Sequence, residues 1–395
     1  MNNRNVILKK HFNKVISGGY MESKKITNKE VKRKNRNRIY RYLRKGGICS
    51  NPDIAYELNL SLPTVTQNTK ELLEMGLIEE KGELESTGGR KAKALSVHGN
   101  AALAAGLDIT RNHIGLLLTN VTGEILKYER IPYPFYNSQD YFMGVNEKLE
   151  AFLEDSPAKQ KPVLGIGISI PGIVDLEKKE ITSSHVLNTG SISFHEIERA
   201  FSYPCMFLND ANAGAYAEGM QAGEEKIFFY FSLSNTVGGS VFTEGRLVYG
   251  KEFRCGEVGH MTIVPDGLPC YCKKNGCLDS YCTAERLAKP AGGKLEDFFD
   301  GLRQGNQALK EEWEQYTSYL AIAINNIHMV LDCDVILGGY VGSYLEEHIQ
   351  EIRQKVSKRS TFSEDGHYVL PCFYKTGAAA LGAALYVIER FVEKI

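Results

Sequence analysis

Four residues in the stretch from Cys255 to Cys282, CGEVGHMTIVPDGLPCYCKKNGCLDSYC, have the types and spacing of a metal site. They are His260, Cys270, Cys272 and Cys277, in the pattern H-x9-C-x-C-x4-C. Three thiolates and an imidazole make a tetrahedral set suited to zinc, and four protein ligands leave no open coordination position. Such a closed site staples a loop and does not act as a Lewis acid. The competing reading is ordinary buried cysteines or a disulfide pair. It fits less well, because three cysteines within eight residues, set among Pro265, Gly267, Pro269 and Gly276, sit badly in a core helix or strand. What the metal would hold in place is Gly256-Glu257-Val258-Gly259-His260 and, just after it, Asp279. Two carboxylates and an imidazole on one fixed loop describe a binding surface for a small polyol.

GEVGHM followed by CYCKKNGCL resembles the signature of the ROK family, which takes in sugar kinases and sugar-responsive repressors and carries one structural zinc. The resemblance implies sugar contacts at Glu257 and His260. It implies a third at Asp279, where the family usually has the longer Glu. Gly165-Ile166-Gly167-Ile168-Ser169-Ile170-Pro171-Gly172 is similar to the glycine-rich loop bordering the sugar, although a strand ending in a Pro-Gly turn explains the same spacing. Leu208-Asn209-Asp210-Ala211-Asn212-Ala213 resembles the catalytic motif. By that resemblance Asn209 and Asp210 hydrogen-bond the ring, Asp210 stands where the kinases keep their base, and Asn188 is a further sugar contact. A carboxylate at a strand end suits phosphoryl transfer and polyol binding alike.

Phosphate is where the chain departs from that pattern. The family's kinases carry D-x-G-G-T after the first strand, whereas this chain has Asp108-Ile109-Thr110-Arg111-Asn112. For their G-T-G-x-G-G it has Ser234-Asn235-Thr236-Val237-Gly238-Gly239. Main-chain amides wrap phosphate where a bare glycine lets the chain approach and take up positive φ. Losing two such arrays removes several charge-assisted hydrogen bonds of about 1.5–3 kcal/mol each. The expectation is therefore no ATP, no enzymatic activity, and Asp210 as a vestigial base. The alternative is an active hexose kinase with an accessory head.

Behind these residues stand two differently charged parts. Residues 1–98 hold 20 Lys and Arg against 10 Asp and Glu, and the remainder holds 27 against 38, within a net charge of -1. A basic head on an acidic body is the footprint of a nucleic-acid-binding module joined to something else, although a charge run alone is more often a solvated face. No apolar run approaches the roughly 20 residues needed to cross a bilayer, and nine cysteines in so long a chain point to a reducing, cytoplasmic setting.

Residues 1–33, rich in Lys, Asn and Ser, are expected to be a basic tail, either without fixed structure or serving as an accessory basic arm. The DNA-binding unit is expected over residues 34–98. A helix from Asn35 carries Ile39, Tyr40 and Leu43 on one face and stops at Gly46-Gly47; a short helix from Asn51 or Asp53 to Leu58 follows. After the turn Asn59-Leu60-Ser61, a third helix runs from Leu62 to Met75. Two strands around Gly88-Gly89-Arg90-Lys91 complete a winged helix-turn-helix, and STGGRK also resembles the heads of ROK repressors. The side chains off the apolar stripe of the third helix are Thr64, Thr66, Gln67, Asn68 and Lys70. Amides suit adenine edges, Lys70 suits a phosphate, and Arg90 with Lys91 suits the backbone or minor groove.

The body, residues 99–395, reads strand, strand, strand, helix, strand, and a weaker second copy begins near Lys226. By the resemblance this is an α/β fold, a two-lobed actin-like, RNase H-like sugar-kinase body of the ATPase type, with a cleft for a small ligand. The function expected is a repressor on double-stranded operator DNA, released by a sugar inducer. Because winged heads read half-sites about 34–36 Å apart, a homodimer is expected, with a tetramer as the alternative.

Overall fold

The computed structural model describes residues 27–84, 92–223 and 225–395. Helices α1 (Asn28–Arg44), α2 (Asn51–Glu57) and α3 (Leu62–Glu74) lead into the antiparallel pair β1 (Ile78–Glu83) and β2 (Lys93–Val97). Each helix opens on a hydroxyl residue. Thr27 and Ser50 form capping boxes with Glu30 and Asp53, and Ser61 accepts the Thr64 N–H, which satisfies amides that a helix start leaves unpaired. The apolar stripes meet as expected, with Ile39, Tyr40, Leu43, Ile54, Val65, Leu72, Leu77, Ile78 and Leu95 in one buried cluster.

Two expectations for the head need correction. The first helix starts at Asn28 and not at Asn35, so the last residues assigned to the tail are helical. That extra turn has no apolar stripe to reveal it. It is held by the Thr27–Glu30 capping box and by ion pairs from Lys32 and Arg36 to Glu71 on α3. The second correction concerns Asn68, which is buried. The wing tip with Arg90 and Lys91, and residues 1–26, lie outside the described residues.

The first lobe of the body is built on β3 (Leu103–Ile109), β4 (His113–Asn120), β5 (Ile125–Pro132), α4 (Gln139–Glu154) and β6 (Val163–Ile170). A small sheet of β7 (Val174–Asp175), β8 (Glu180–Ile181) and β9 (Ile192–Ser193) follows, then α5 (Phe194–Glu198), β10 (Cys205–Asn209) and α6 (Asp210–Ala222). The second lobe has β11 (Ile227–Leu233), β12 (Val237–Thr243), β13 (Arg246–Val248), the cysteine-rich loop, α7 (Ala284–Ala288), α8 (Leu295–Arg303) and α9 (Gln307–Leu331). It ends with β14 (Asp334–Gly338), α10 (Gly339–Gly342), α11 (Ile349–Ser357), β15 (Val369–Pro371) and α12 (Ala378–Val392). The main sheets run β10-β6-β3-β4-β5 and β13-β12-β11-β14-β15. In each, the first strand pairs antiparallel with the second and parallel with the fourth, so the second copy is a true repeat of the first.

Helices α6 and α12 lie between the sheets and pack against each other. Glycines allow the close approach: a Cβ on Gly106 or Gly167 would strike the carbonyls of Ala380 and Ala383 on α12, and one on Gly382 would strike that of Ala213 on α6. Separate apolar cores fill the outer side of each lobe. The central core is continuous with that of the head, joining Ile39, Tyr40 and Leu43 to Tyr216 on α6 and to Leu385, Ile388 and Val392 on α12.

Candidate functional site

The cysteine-rich loop is a knot of tight turns. Cys270 N–H donates to the Lys274 carbonyl at 2.8 Å, Gly276 N–H to Leu268, and Thr262 bridges Cys277. Gly276 has φ 79°, and a Cβ there would collide with the Val264 carbonyl. These turns bring His260, Cys270, Cys272 and Cys277 together with all four ligand atoms within 4.8 Å of one another. Two thiolates on one tetrahedral zinc stand about 3.8 Å apart, given a Zn–S distance of about 2.3 Å. Cys272 and Cys277 are 3.7 Å apart, and His260 Nδ1 is 3.8 Å from Cys270 Sγ. The donor set therefore fits a closed tetrahedral ion with Nδ1 as the imidazole ligand. Burial, then hydrogen bonding with Cys272 and Cys270, pushes the Cys277 thiol up to about 12, a proton that a bound dication displaces.

The expected sugar residues divide between the lobes. Asn209 and Asp210 sit where β10 ends and α6 begins. The Asn209 carbonyl oxygen caps α6, accepting N–H groups of Ala211 at 2.9 Å and Asn212 at 3.2 Å, while its amide donates to the Gly172 carbonyl at 2.9 Å. Asn209 is thus spent mostly on fixing the helix start and the Pro-Gly turn, with one N–H left over. Asp210 is raised above the usual carboxylate range, by burial first, with the helix-start amides and Asn209 opposing. Beside it Asp108 accepts the Ser169 hydroxyl at 2.8 Å. Asp108 is pushed up to about 6 by burial and by Asp210.

From the second lobe, Glu257 is raised by desolvation first and then by the Asp210 charge, with Asp279 adding to it. The charges of Asp210 and Asp279 thus both act on the Glu257 carboxylate. Asp279 is buried and accepts the Val237 N–H at 2.5 Å, tying the metal loop to the first residue of β12. Burial pushes it up to about 6. With that bond made, Asp279 fastens the loop. Asn188 is exposed, in the turn closed by mutual Ser184–Thr189 backbone hydrogen bonds, at φ 54°. That conformation alone accounts for an Asn at this position.

Thr110 and Ser234, at the two places where phosphate-binding glycines were sought, are both engaged in hydrogen bonds. Thr110 Oγ1 donates to the His113 carbonyl at 2.9 Å and accepts the His113 N–H at 3.1 Å. Ser234 N–H donates to Thr236, and Ser234 Oγ accepts the Tyr340 N–H at 3.1 Å at the start of α10. The neighbouring Gly339 N–H donates to the Tyr230 hydroxyl at 3.1 Å. Gly238 and Gly239 lie within β12, paired with Ser232 and Phe231, and are not in a loop.

Of the α3 residues expected to read DNA, Thr66, Gln67 and Lys70 are exposed. Thr64 is half-buried, its hydroxyl 2.8 Å from that of Ser61. Asn68, expected on this face, is only 1% exposed and donates to the Thr64 carbonyl at 2.8 Å, so it reads no base. The period misleads because the apolar stripe of α3 is wider than its apolar residues, an amide taking one of the inner positions. Two exposed residues went unnoticed: Tyr56 on α2 at 82% exposure and Leu62, the first residue of α3, at 47%. Their signal was an aromatic and a leucine lying outside the buried stripes.

A three-helix head with a β-hairpin, followed by a doubled five-stranded lobe and a Cys3His knot beside paired carboxylates, defines a DNA-binding module on a sugar-kinase scaffold. Residues 104–390 match the model of the ROK family and residues 32–79 that of a winged helix-turn-helix DNA-binding domain. This chain belongs to the ROK family. It is 27% identical over 377 residues to the xylose repressor of Bacillus spizizenii, covering 92% of this chain and 97% of that one. It is also 27% identical over 257 residues to the DNA-binding transcriptional dual regulator NagC of Escherichia coli K12, with 63% and 62% covered. Among solved structures it superposes on a ROK family transcriptional regulator, a homolog of the E. coli MLC protein, with a TM-score of 0.74 and 22% identity over 92% of this chain and 97% of that one. A ROK glucokinase from Streptomyces griseus, solved with glucose and AMPPNP, superposes with a TM-score of 0.60 and 21% identity over 71% and 98%. Both structural likenesses speak to fold.

Proposed function

We propose that this protein is a sugar-responsive transcriptional repressor that binds operator DNA through its winged head and releases it when a sugar enters the cleft. The observation that carries the reading is the joint presence, in one chain, of an exposed recognition helix and a cleft lined by Asp210, Glu257 and the His260 loop. Its full-length likeness to a xylose repressor supports the same reading. Thr66 and Gln67 face base edges, Lys70 a phosphate, and Arg90 and Lys91 serve at the wing. Asp210, Glu257 and His260 hold sugar hydroxyls, with Asn209 offering its remaining N–H and Asp279 and Asn188 at the margin. Zinc on His260, Cys270, Cys272 and Cys277 cross-links the loop that carries Glu257. The working form is a homodimer on a palindrome.

The route from cleft to head runs along two helices. Asp210 starts α6, α6 packs on α12, and Glu389 on α12 accepts Arg41 Nε at 2.8 Å and Arg44 at 3.1 Å from α1. A shift of α6 on sugar binding is thereby passed to the head. The protein is not a kinase in this reading, because the Thr110 and Ser234 amides are taken up by the His113 and Thr236 carbonyls and glycines of the kinases' phosphate loops are replaced.

An operator selected from random duplex DNA, followed by anisotropy with a sugar library, tests the proposal. Sugar should release DNA, and Asp210→Asn should weaken release by about tenfold or more while leaving binding without sugar intact. Joint Lys70→Ala and Arg90→Ala should weaken binding to every duplex, and unaltered binding would remove the head assignment. Release of ADP with any hexose at about 1 s⁻¹ or faster would favour the kinase.

A further inference from the structure

Tyr271 stands between two metal ligands, Cys270 and Cys272, so its backbone is fixed wherever the metal fixes theirs. Its side chain leaves the knot and is 44% exposed. The ring meets His260 edge-on, with centroids 5.2 Å apart and planes at 75°, and its hydroxyl lies 3.4 Å from His260 Nε2, the nitrogen that faces away from the thiols. On its other side is His185, centroid 4.9 Å away and tilted by 45°.

The two rings come from different lobes. His185 is exposed on the 184–189 turn, whose neighbours Leu187, Ile181 and Ile192 are buried in the first-lobe core. Tyr271 rides on the metal loop, whose Leu278, Val258 and Met261 pack into the second-lobe core. The loop that carries Tyr271 also carries Glu257 before the first metal ligand and Asp279 after the last. The hydrogen-bonding groups described above all serve the hydroxyl edge of a sugar. A pyranose also has faces of C–H groups, and these pack on aromatic rings, whose polar tips stay free for hydroxyls.

Resting on the reading of the cleft as a sugar site, we propose that Tyr271 and His185 close over the bound sugar as a two-lobed aromatic clasp. Tyr271 packs on a sugar face and sets which sugar is preferred. The two rings pack on each other and the Tyr271 hydroxyl lies against His260 Nε2. A sugar hydroxyl takes that nitrogen when it enters. Because the rings belong to different lobes, a ligand between them also fixes the angle of the cleft.

Calorimetry of the intact, zinc-loaded protein with glucose, xylose and N-acetylglucosamine tests this, with zinc content measured for each variant. Tyr271→Ala should weaken the preferred sugar by about tenfold or more and change the order of preference, while Tyr271→Phe should stay within about threefold. His185→Ala lies across the cleft from the metal and should weaken binding even if Tyr271→Ala loses zinc. The two alanine changes together should cost less than the product of their separate effects, since each removes the same contact. If the parent binds a sugar, Asp210→Asn abolishes that binding, and both His185→Ala and Tyr271→Ala leave it unchanged, the clasp is overturned and the sugar site stands. If the parent binds none of the three sugars, the reading of the cleft and the clasp fall together.

Discussion

Cys272 and Cys277, 3.7 Å apart, show how directly residue chemistry was written in this chain. Ligand type and spacing alone assembled the Cys3His set, because turn-rich sequence with three cysteines has few other folded solutions. Replacing Cys270 and Cys272 together by Ser should abolish zinc retention in metal analysis and lower the melting temperature by several degrees. Sugar response should be lost while operator binding persists. A wild-type protein without zinc would contradict the assignment. Asn68 and Asp279 were less legible. The first is an amide whose partner is its own helix, and the second a carboxylate whose partner, the Val237 N–H, lies 42 positions away. Neither neighbour is visible from local spacing.

Among the elements, the strands and long helices were readable from period and length. The strand, strand, strand, helix, strand order expected for the body is met by β3, β4, β5, α4 and β6, and β11 starts the second copy at Ile227. The first turns of α1 escaped because ion pairs to Glu71, and no apolar stripe, hold them. The packing of α6 on α12 was also hidden, since it depends on glycines opposite carbonyls far away in the chain. That pair makes Glu389 a key position, with Arg44 only 8% exposed beside it. Glu389→Gln removes the carboxylate that two guanidinium groups share and should destabilise the head by on the order of 1–3 kcal/mol. It should also shrink the ratio of operator affinities with and without sugar. An unchanged ratio, measured by anisotropy, would show that the signal travels by another route.

For the molecule as a whole, the charge asymmetry announced a head and a body, and the repeated strand order announced the two lobes that the matching strand pairings display. What neither composition nor period showed is that head and body share one core, Ile39 and Tyr40 lying in the same buried cluster as Ile388 and Val392. Amides of α1 and of β3 should therefore exchange hydrogen with similar protection and lose it at the same urea concentration. A head that opens well before β3 would refute a common core. Arg41 and Glu389 meet across 348 positions of chain, so α1 and α12 are matched to each other. Transplanting a foreign reading head onto this scaffold would require rewriting its final helix as well, and a shuffled chimera that kept only one of the two would be expected to bind DNA deaf to sugar.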